Sequence, residues 1–536
     1  TSTTNCVRIM KLLSQTQSGG ARLCRAEKKP TAPSPAPLER RPHLTGFMGW
    51  LVGTLALLAL AHVQAAPRTE AAQSFALSEV RLLDGPFRRA QELNRRHLLQ
   101  YDADRLLAPF RKEAGLEPKA DGYPNWAGLD GHVGGHYLTG MAIYAAATGD
   151  PECQQRLDYM VNELAACQFA HGDGYVGGVP GSRELWSQVR EGDPKATRKR
   201  WVPWYNLHKT FAGLRDAWLY TSNAQAREVL IRLSDWCYEL LRDFYPEQME
   251  TMMDQEYGGM NEVLADVSAI TGQAEYLDLA RSFSHRQLLE PMSREHDSLD
   301  NKHANTQVPK AVGFQRIAEL GGDEAYADAA RFFWETVVRN RTLAFGGNSR
   351  REHFPAAQAC QEFIEEREGP ESCNTYNMLK LTKGLHRMNP RAAYADYYER
   401  ALFNHILASQ HPEHGGYVYF TPARPRHYRV YSAPNMGMWC CVGSGMENHG
   451  KYGEFIYSHS DDALYVNLFI ASEVDWKAKG VRLRQETRFP DESQTVFTVG
   501  EARAAEFSLK IRHPSWVPAN QLRFKLGDKE WCPDSQ

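Results

Sequence analysis

Apolar residues recur at helical spacing in paired segments between residues 134 and 410, and a short break rich in Gly, Ser, Asn or Pro divides each pair. The first segment of each pair is the more apolar and starts with a polar motif that contains His, Asn or Glu. The second segment is more charged, as an outer helix facing water would be. We therefore predict five helical hairpins, with segments at 134–147 and 153–169, 205–217 and 224–244, 259–267 and 276–289, 303–311 and 326–338, and 373–382 and 394–410.

The hairpins begin about 45 to 70 residues apart, a period that is typical of solenoids and of closed helical rings. Apolar spacing also predicts an earlier helix over 86–107, which we interpret as the remnant of a sixth hairpin. The polar motifs that start the inner helices would converge on one mouth if the ring closes. We therefore predict a mainly α fold, an (α/α)6 barrel over residues 67–457, with an open solenoid as the alternative.

Hydrophobic alternation replaces the helical pattern after about residue 457. Turn residues separate β-rich segments, which predict a β-sandwich domain over 458–536. About five strands are few for a sandwich, so we expect an incomplete domain, a chain that is a fragment, and an exposed sheet edge. A short strand or extended lead-in is also predicted over 75–84. The predicted strands of the sandwich are 463–470, 481–484, 496–499, 507–512 and 522–526.

The N-terminal residues follow neither pattern. Residues 1–47 are polar and aperiodic, and we interpret them as disordered or as sequence upstream of the true start. Residues 48–66 contain a short apolar run that follows two arginines and ends in small residues. The run is shorter than the ~20 residues that span a membrane, and it predicts a signal peptide cleaved near Ala65. We expect a secreted or periplasmic protein, with an N-terminal membrane anchor as the alternative.

Charge balance and cysteine content argue against some classes of protein. The chain has 62 Lys and Arg against 65 Asp and Glu, and this balance gives no electrostatic footprint for nucleic acid or a membrane surface. Ten cysteines in 536 residues are too few for a disulfide scaffold. Free thiols in an exported protein face an oxidising space, so cysteines that stay reduced there would benefit from a bound metal.

One group of cysteines has the composition of a metal site. Glu371 and Cys373 lie two residues apart, and Cys440 and Cys441 are adjacent. A bridge between adjacent cysteines is strained, so this pair suggests metal binding or reactivity. Thiolates with one carboxylate form a plausible shell for Zn²⁺, whereas ordinary buried thiols are the alternative. In the aperiodic loop 346–354, Glu352 is a candidate general acid or else a solvated charge.

Six motifs occur along the chain in the order Gly134-Gly-His-Tyr-Leu, Tyr205-Asn-Leu-His-Lys, His303-Ala-Asn-Thr-Gln-Val-Pro-Lys, Arg351-Glu-His-Phe, Glu371-Ser-Cys-Asn-Thr-Tyr-Asn-Met-Leu-Lys and Trp439-Cys-Cys-Val-Gly. Over roughly residues 75–530 they resemble the β-L-arabinofuranosidases of glycoside hydrolase family 127 and its close relative, family 146. The residues of the motifs are closer to those of family 146. The resemblance implies an (α/α)6 barrel followed by β-sandwich domains, in agreement with the hydrophobic pattern.

The same resemblance implies roles for individual residues. Zinc would be held by Glu371, Cys373, Cys440 and Cys441, and Cys440 would also be the nucleophile. Glu352 would be the acid/base. The residues implied to contact the substrate are His136, His208 and His303.

These inferences predict an exo-acting retaining glycosidase that releases β-L-arabinofuranose through a zinc-held cysteine and a thioglycosyl-enzyme intermediate. The expected partner is a plant-type arabinose-containing glycan or oligosaccharide, with no nucleic acid and no membrane after signal cleavage. The oligomeric state stays open. The alternatives are the same scaffold acting on a different glycoside, an inverting hydrolase with two carboxylates, a lyase that uses Tyr and His, and a non-catalytic carbohydrate-binding or structural zinc protein.

Overall fold

The computed structural model describes residues 71–124, 128–359, 361–502, 506–518 and 520–532. The expectations for residues 1–47 and 48–66 therefore fall outside the described residues. Within the described ranges, no helix combines the length and the apolar character needed to cross a membrane. The chain is mainly helical up to about residue 450 and forms strands after that point.

The α-helices of the described residues are α1 (Pro86–Leu98), α2 (Ala103–Glu113), α3 (His132–Thr148), α4 (Pro151–His171), α5 (Ser182–Arg190), α6 (Pro203–Thr221), α7 (Ala224–Leu241), α8 (Pro246–Met253), α9 (Met260–Thr271), α10 (Ala274–Ser282), α11 (Arg286–Ser293), α12 (Ala304–Gly321), α13 (Glu324–Asn340), α14 (Gln361–Glu365), α15 (Ser372–Met388), α16 (Ala392–Ala401) and α17 (Cys440–Asn448). Short 3-10 turns cover Leu77–Glu79, Ala196–Lys199, Leu407–Ser409 and Tyr452–Phe455, and a π-helical turn covers Leu402–Ile406.

Six helices form a closed inner ring. In ring order they are α3, α6, α9, α12, α15 and α17, and each packs against the next. The ring closes because α17 packs back against α3. Outer helices such as α4, α7, α10, α13 and α16 follow their inner partners in the chain and face water. The predicted (α/α)6 barrel is therefore confirmed, and the open solenoid is wrong.

Local sequence signals set the hairpin turns. Helix α3 ends at Gly149, which adopts the left-handed conformation with φ of 70°. Asp150 then caps α4 by accepting a hydrogen bond from the backbone N–H of Cys153, and Pro151 occupies the first helical position. Gly322 and Asp323 repeat this arrangement between α12 and α13. A left-handed glycine followed by an Asp cap reverses the chain within two residues.

The sixth hairpin is assembled from opposite ends of the barrel sequence. Its inner helix is α17, and its outer helix is α1. The side-chain amide of Asn94 donates to the carbonyl of Met446 at 3.2 Å, and that of Gln91 donates to the carbonyl of Gly450 at 2.9 Å. The interpretation of the early helix as part of a sixth hairpin is thus confirmed.

Three predicted helices have different boundaries. The single helix over 86–107 is wrong, because α1 ends at Leu98 and Asp102 caps the separate helix α2 through the N–H of Asp104. The helix over 276–289 is two helices, α10 and α11. Between them the N–H of Arg286 donates to the carboxylate of Glu250 instead of continuing the helical ladder. The helix over 394–410 is α16, followed by the π-helical and 3-10 turns.

Two four-stranded sheets pack beside the barrel, and both recruit an N-terminal strand. One sheet has the order β1–β3–β4–β8 and the other β2–β5–β6–β7, with β4 and β8 parallel and the remaining neighbours antiparallel. Strands β3, β5 and β10 were not predicted. The strands are β1 (Gln73–Ser74), β2 (Val80–Leu82), β3 (Tyr457–His459), β4 (Ala463–Val466), β5 (Ser472–Trp476), β6 (Val481–Thr487), β7 (Thr495–Ala502), β8 (Ser508–Ile511), and the hairpin β9 (Phe524–Leu526) with β10 (Lys529–Trp531).

Ion pairs fill the barrel lumen below the starts of the inner helices. A cavity of about 190 Å³ there is lined by residues of all six inner helices and the turn after α17, and most of these residues are charged. Buried charges of this kind are stable only when they are paired. The closest pairs include Arg215 with Asp216 and Asp266, each at 2.8 Å, Lys380 with Glu262 at 2.7 Å, Arg316 with Glu319 at 2.8 Å, and Lys383 with Glu454 at 2.5 Å.

The lumen carboxylates make the fold sensitive to acid. Burial opposes the charged form of Glu454, but Lys383 and Lys451 outweigh it and lower its pKa from 4.5 to about 2. Because the folded pKa lies below the unfolded one, this contribution is present above about pH 4.5 and is lost as the pH falls toward 2. We expect the urea concentration at the midpoint of unfolding to fall as the pH is lowered through that interval. Glu454→Gln should be less stable than the wild type at pH 7 and should lose less stability on acidification. The same loss of stability on acidification in the variant and the wild type would contradict a role of Glu454.

Candidate metal centre and active site

Two inner helices bring the four predicted ligands together. Glu371 is the residue that precedes α15, and Cys373 lies in the first turn of that helix. Cys440 and Cys441 are the first two residues of α17, the neighbouring helix of the ring. The first turn of a helix carries unpaired N–H groups and a partial positive charge, which favour carboxylates and thiolates. One such group, the N–H of Cys373, points at the Cys441 sulfur at 3.4 Å.

The ligand atoms form a compact tetrad. All four lie within 4.8 Å of one another. Glu371 Oε1 lies 2.5 Å from the Cys373 sulfur, 3.4 Å from that of Cys440 and 3.7 Å from that of Cys441. The Cys373 and Cys440 sulfurs are 3.6 Å apart. Tetrahedral ligation at a metal–sulfur distance of about 2.3 Å separates sulfurs by roughly 3.8 Å, close to the distance between the Cys373 and Cys440 sulfurs.

The described residues satisfy the carboxylate of the tetrad only in part. Glu371 Oε2 is buried and has no hydrogen-bond partner among the described residues. Burial, with Cys440 and Glu352 nearby, raises the pKa of Glu371 well above its usual range. Burial likewise raises the pKa of the Cys373 thiol. A cation would allow these groups to ionise, and three sulfurs with one carboxylate oxygen suit a divalent transition metal. The residues therefore fit a metal ion.

Cys440 differs from the other two thiols in its exposure. Cys373 and Cys441 are 3% and 0% exposed, whereas Cys440 is only partly buried. Beside it lie Tyr205, which packs in the same small apolar cluster, and the hydroxyl of Tyr419 at 3.6 Å. Cys440 is therefore the least enclosed cysteine of the tetrad, and the one that contacts the Tyr419 hydroxyl.

Glu352 lies next to the tetrad. The hydroxyl of Tyr419 donates a hydrogen bond to Glu352 Oε1, and the same hydroxyl contacts the Cys440 sulfur. Glu352 adopts a left-handed conformation with φ of 65°, and its carbonyl accepts a hydrogen bond from the N–H of Ala304 at 2.6 Å. The loop 346–354 is thereby held against the start of α12, and the Tyr419 hydroxyl links the Glu352 carboxylate to Cys440.

His303 pairs with Glu352 at the mouth. Its Nε2 lies 3.7 Å from Glu352 Oε2. This contact lowers the pKa of Glu352, although partial burial opposes the shift and the Tyr419 hydrogen bond reinforces it. Burial disfavours the charged form of His303, but Glu352 and Glu256 outweigh burial and raise the pKa of His303. The pair therefore favours an ionised carboxylate beside a proton-bearing imidazole.

The other two predicted histidines lie deeper in the barrel. His136, on α3, packs against Gly443, three residues after Cys440, and its Nδ1 lies 2.5 Å from Glu447 Oε1. His208, on α6, packs against Gly258 and has no hydrogen-bond partner for either ring nitrogen among the described residues. Both histidines line a cavity of about 20 Å³. Among the described residues, no hydrogen bond or ion pair joins either histidine to Glu352 or to a tetrad sulfur.

Sequence reasoning missed three polar residues of this region. Tyr419 lies in an aperiodic segment that pairs with the residues before α15, as the bond from Ser372 N–H to its carbonyl at 3.0 Å shows. Glu256 lies in the same loop as Gly258, and Gly258 packs against the His208 ring. Glu447 lies on α17, which the sequence pattern did not predict as a helix. No local spacing marks these residues, because each reaches the site through tertiary contacts.

Comparisons with known proteins agree on one family. Residues 79–454 match the catalytic domain of the β-L-arabinofuranosidases of family GH127, and residues 463–530 match the GH127 middle domain. The non-reducing end β-L-arabinofuranosidase of Bifidobacterium longum subsp. longum is 23% identical over 436 residues, which cover 70% of this chain and 63% of that protein. The chain thus matches less than two thirds of that relative's length.

Solved structures show the same fold. A GH127 β-L-arabinofuranosidase from Geobacillus stearothermophilus T6 has a TM-score of 0.61 at 19% identity, covering 82% of this chain and 75% of its own. A second structure, described as a GH127 β-arabinofuranosidase, has a TM-score of 0.64 at 19% identity, covering 84% and 73%. At such low identity the likeness establishes the barrel and its β domain.

The tetrad predicts a bound metal that stabilises the fold. We expect about one equivalent of a divalent transition metal per purified chain, by elemental mass spectrometry, and a lower unfolding temperature after chelation. Cys373→Ser should reduce the metal content severalfold. Cys167→Ala, which removes a buried thiol from the outer helix α4, is the matched control and should retain the metal. Equal metal content in the two variants would contradict the site.

Proposed function

We propose that this chain, which belongs to the GH127 family of β-L-arabinofuranosidase catalytic domains, is an exo-acting retaining glycoside hydrolase that releases β-L-arabinofuranose. One observation carries the proposal. The Tyr419 hydroxyl contacts both the Glu352 carboxylate and the Cys440 sulfur, so an acid/base and a nucleophile flank one accessible point. Retaining enzymes need these groups about 5 Å apart, whereas inverting enzymes separate them by roughly 6.5–9.5 Å.

The proposed metal is zinc. A shell of three thiolates and one carboxylate at tetrahedral spacing is typical of Zn²⁺. When bound, zinc would keep Cys440 as a thiolate at neutral pH and stabilise the same sulfur as a leaving group. Glu371, Cys373 and Cys441 would hold the ion from their buried positions, and the partly exposed Cys440 would remain open to the sugar.

In the first step, the Cys440 sulfur attacks the anomeric carbon and Glu352 donates a proton to the glycosidic oxygen. The carbon–oxygen bond breaks, a carbon–sulfur bond forms, and the aglycone leaves as an alcohol. Glu352 favours its ionised form in the free protein. The neighbouring His303, whose pKa is raised, holds a proton next to the Glu352 carboxylate. Glu352 needs this proton for the first step.

In the second step, Glu352 accepts a proton from water, and the water oxygen attacks the anomeric carbon. The carbon–sulfur bond breaks and Cys440 returns to the thiolate. Two displacements at the same carbon retain its configuration. His303, His136 and His208 are proposed to contact the sugar, with His303 at the mouth and the other two on the deeper side.

We further propose an arabinose-containing glycan of plant type as the substrate, and export of the protein. The first follows from the β-L-arabinofuranosidase family, and the second from the signal-peptide pattern of residues 48–66. Detection of the cleaved chain outside the cytoplasm, by N-terminal sequencing, tests export.

Removing either reacting group should reduce turnover, and the dependence of the loss on the substrate should distinguish the two groups. With p-nitrophenyl β-L-arabinofuranoside we expect Cys440→Ser to reduce kcat/KM by ~1,000-fold or more. Glu352→Gln should reduce it less with this substrate than with an arabinosyl disaccharide, because nitrophenolate leaves with little proton assistance. Full activity of Cys440→Ser would refute the thioglycosyl route. Activity on another glycoside alone would change the substrate and keep the mechanism.

The Tyr419 hydroxyl should contribute to catalysis without being essential. Removing it in Tyr419→Phe leaves Glu352 and Cys440 without their shared contact, and we expect kcat/KM to fall by roughly 10- to 100-fold. Tyr417→Phe is the matched control. Its hydroxyl donates to Asn94 at 2.5 Å and lies two residues away on the same segment, so activity should be nearly unchanged. Equal losses in the two variants would indicate a structural effect.

A further inference from the structure

His136 has a buried carboxylate partner that the proposed mechanism does not use. Glu447 Oε1 lies 2.5 Å from His136 Nδ1, and the two residues are 4% and 5% exposed. The other Glu447 oxygen accepts a hydrogen bond from the hydroxyl of Tyr376. Glu447 is seven residues after Cys440 on α17, so the helix that carries the nucleophile also carries this carboxylate.

The surroundings fix where the proton lies in this pair. Burial alone would raise the pKa of Glu447, but the hydrogen bond with His136 and the charges of His136 and Lys451 lower it to about 2. Burial lowers the pKa of His136. An ionised carboxylate accepts only, so the shared proton is on Nδ1 of a neutral imidazole. His136 Nε2 then carries a lone pair and can only accept a hydrogen bond.

The described residues leave that lone pair without a donor. His136 Nε2 is buried and has no hydrogen-bond partner among the described residues, and the same holds for both ring nitrogens of His208. The cavity of about 20 Å³ that the two histidines line has room for one group the size of water. A buried acceptor left unpaired costs free energy, so a hydroxyl donor that enters this space is favoured.

We propose that Glu447 is a positioning residue, which holds His136 with Nδ1 protonated and Nε2 directed as an acceptor toward a hydroxyl of the bound sugar. The proposal rests on the proposed function of the site. Without the Glu447 carboxylate, the imidazole can carry its proton on Nε2 and rotate, and the acceptor is lost. Tyr376 supports the arrangement by fixing the second carboxylate oxygen.

The barrel supplies a matched control for this carboxylate. Glu454 is also a buried glutamate of the lumen, accepts a hydrogen bond from a tyrosine hydroxyl (Tyr398, at 3.1 Å) and has a pKa of about 2. Its partners are Lys383 and Lys451, and among the described residues no hydrogen bond or ion pair joins it to His136. Glu447→Gln and Glu454→Gln therefore make the same chemical change at comparable depth. Both act on the surroundings of Lys451, but only the first removes the partner of His136.

We expect Glu447→Gln to lower kcat/KM by about 10-fold or more, and Glu454→Gln to stay within about two-fold of the wild type, when both are assayed on folded protein. A double-mutant cycle separates positioning from general destabilisation. If Glu447 acts through His136, adding Glu447→Gln to His136→Ala should cause no further loss. Multiplicative losses in that cycle, or equal losses in Glu447→Gln and Glu454→Gln, would overturn the proposal.

A readout without substrate keeps the proposal testable if the assumed sugar is wrong. In solid-state NMR of ¹⁵N-histidine-labelled protein, the His136 signals, assigned by their absence from His136→Ala, should show a protonated Nδ1 and an unprotonated Nε2. Glu447→Gln should shift this pattern, and Glu454→Gln should not. A protonated Nε2 in the wild type would refute the positioning role. The expected pattern in a protein that is inactive on arabinofuranosides would uphold it and refute only the proposed substrate.

Discussion

The closure of the inner ring between α17 and its two neighbours is the contact on which the site depends. α15 brings Glu371 and Cys373 to the mouth, and α17 brings Cys440 and Cys441. On its other side, α17 packs against α3, which carries His136. An open solenoid would leave α17 without α3 and would separate the thiols from that histidine. The candidate metal ligands therefore lie on α15 and α17, beside the seam where α17 meets α3, and an ion bound there would tie the last inner helix to its neighbour.

The polar lumen follows from the same closed geometry. Six inner helices enclose a space that apolar side chains only partly fill, and charged residues occupy the rest. Each buried charge then needs a partner on a neighbouring helix, as Lys380 finds Glu262 and Arg387 finds Glu319. Such pairs constrain the relative register of adjacent helices. Glu447 belongs to this lumen and reaches His136, so the network that stabilises the barrel also extends to the floor of the site.

The sequence could predict those parts of the fold that local signals determine. Gly149 and Asp150 end one helix and begin the next wherever the hairpin lies in space, so the five consecutive hairpins were predictable. The sixth hairpin was not fully predictable, because α1 and α17 are more than 300 residues apart and α17 begins in a motif without helical periodicity. Sheet partners such as β2 and β5 are equally distant in the chain.

The residues of the candidate site show the same contrast between local signals and tertiary contacts. Glu371, Cys373, Cys440 and Cys441 could be singled out because ligand chemistry restricts residue type and spacing. Tyr419 and Glu447 could not, because their roles come from what they touch after folding. Burial then distinguishes the three cysteines of the tetrad, which are equivalent as candidate ligands in the sequence. Cys373 and Cys441 are buried and Cys440 is only partly buried, so folding distinguishes the two thiols proposed only to hold an ion from the one proposed also to react.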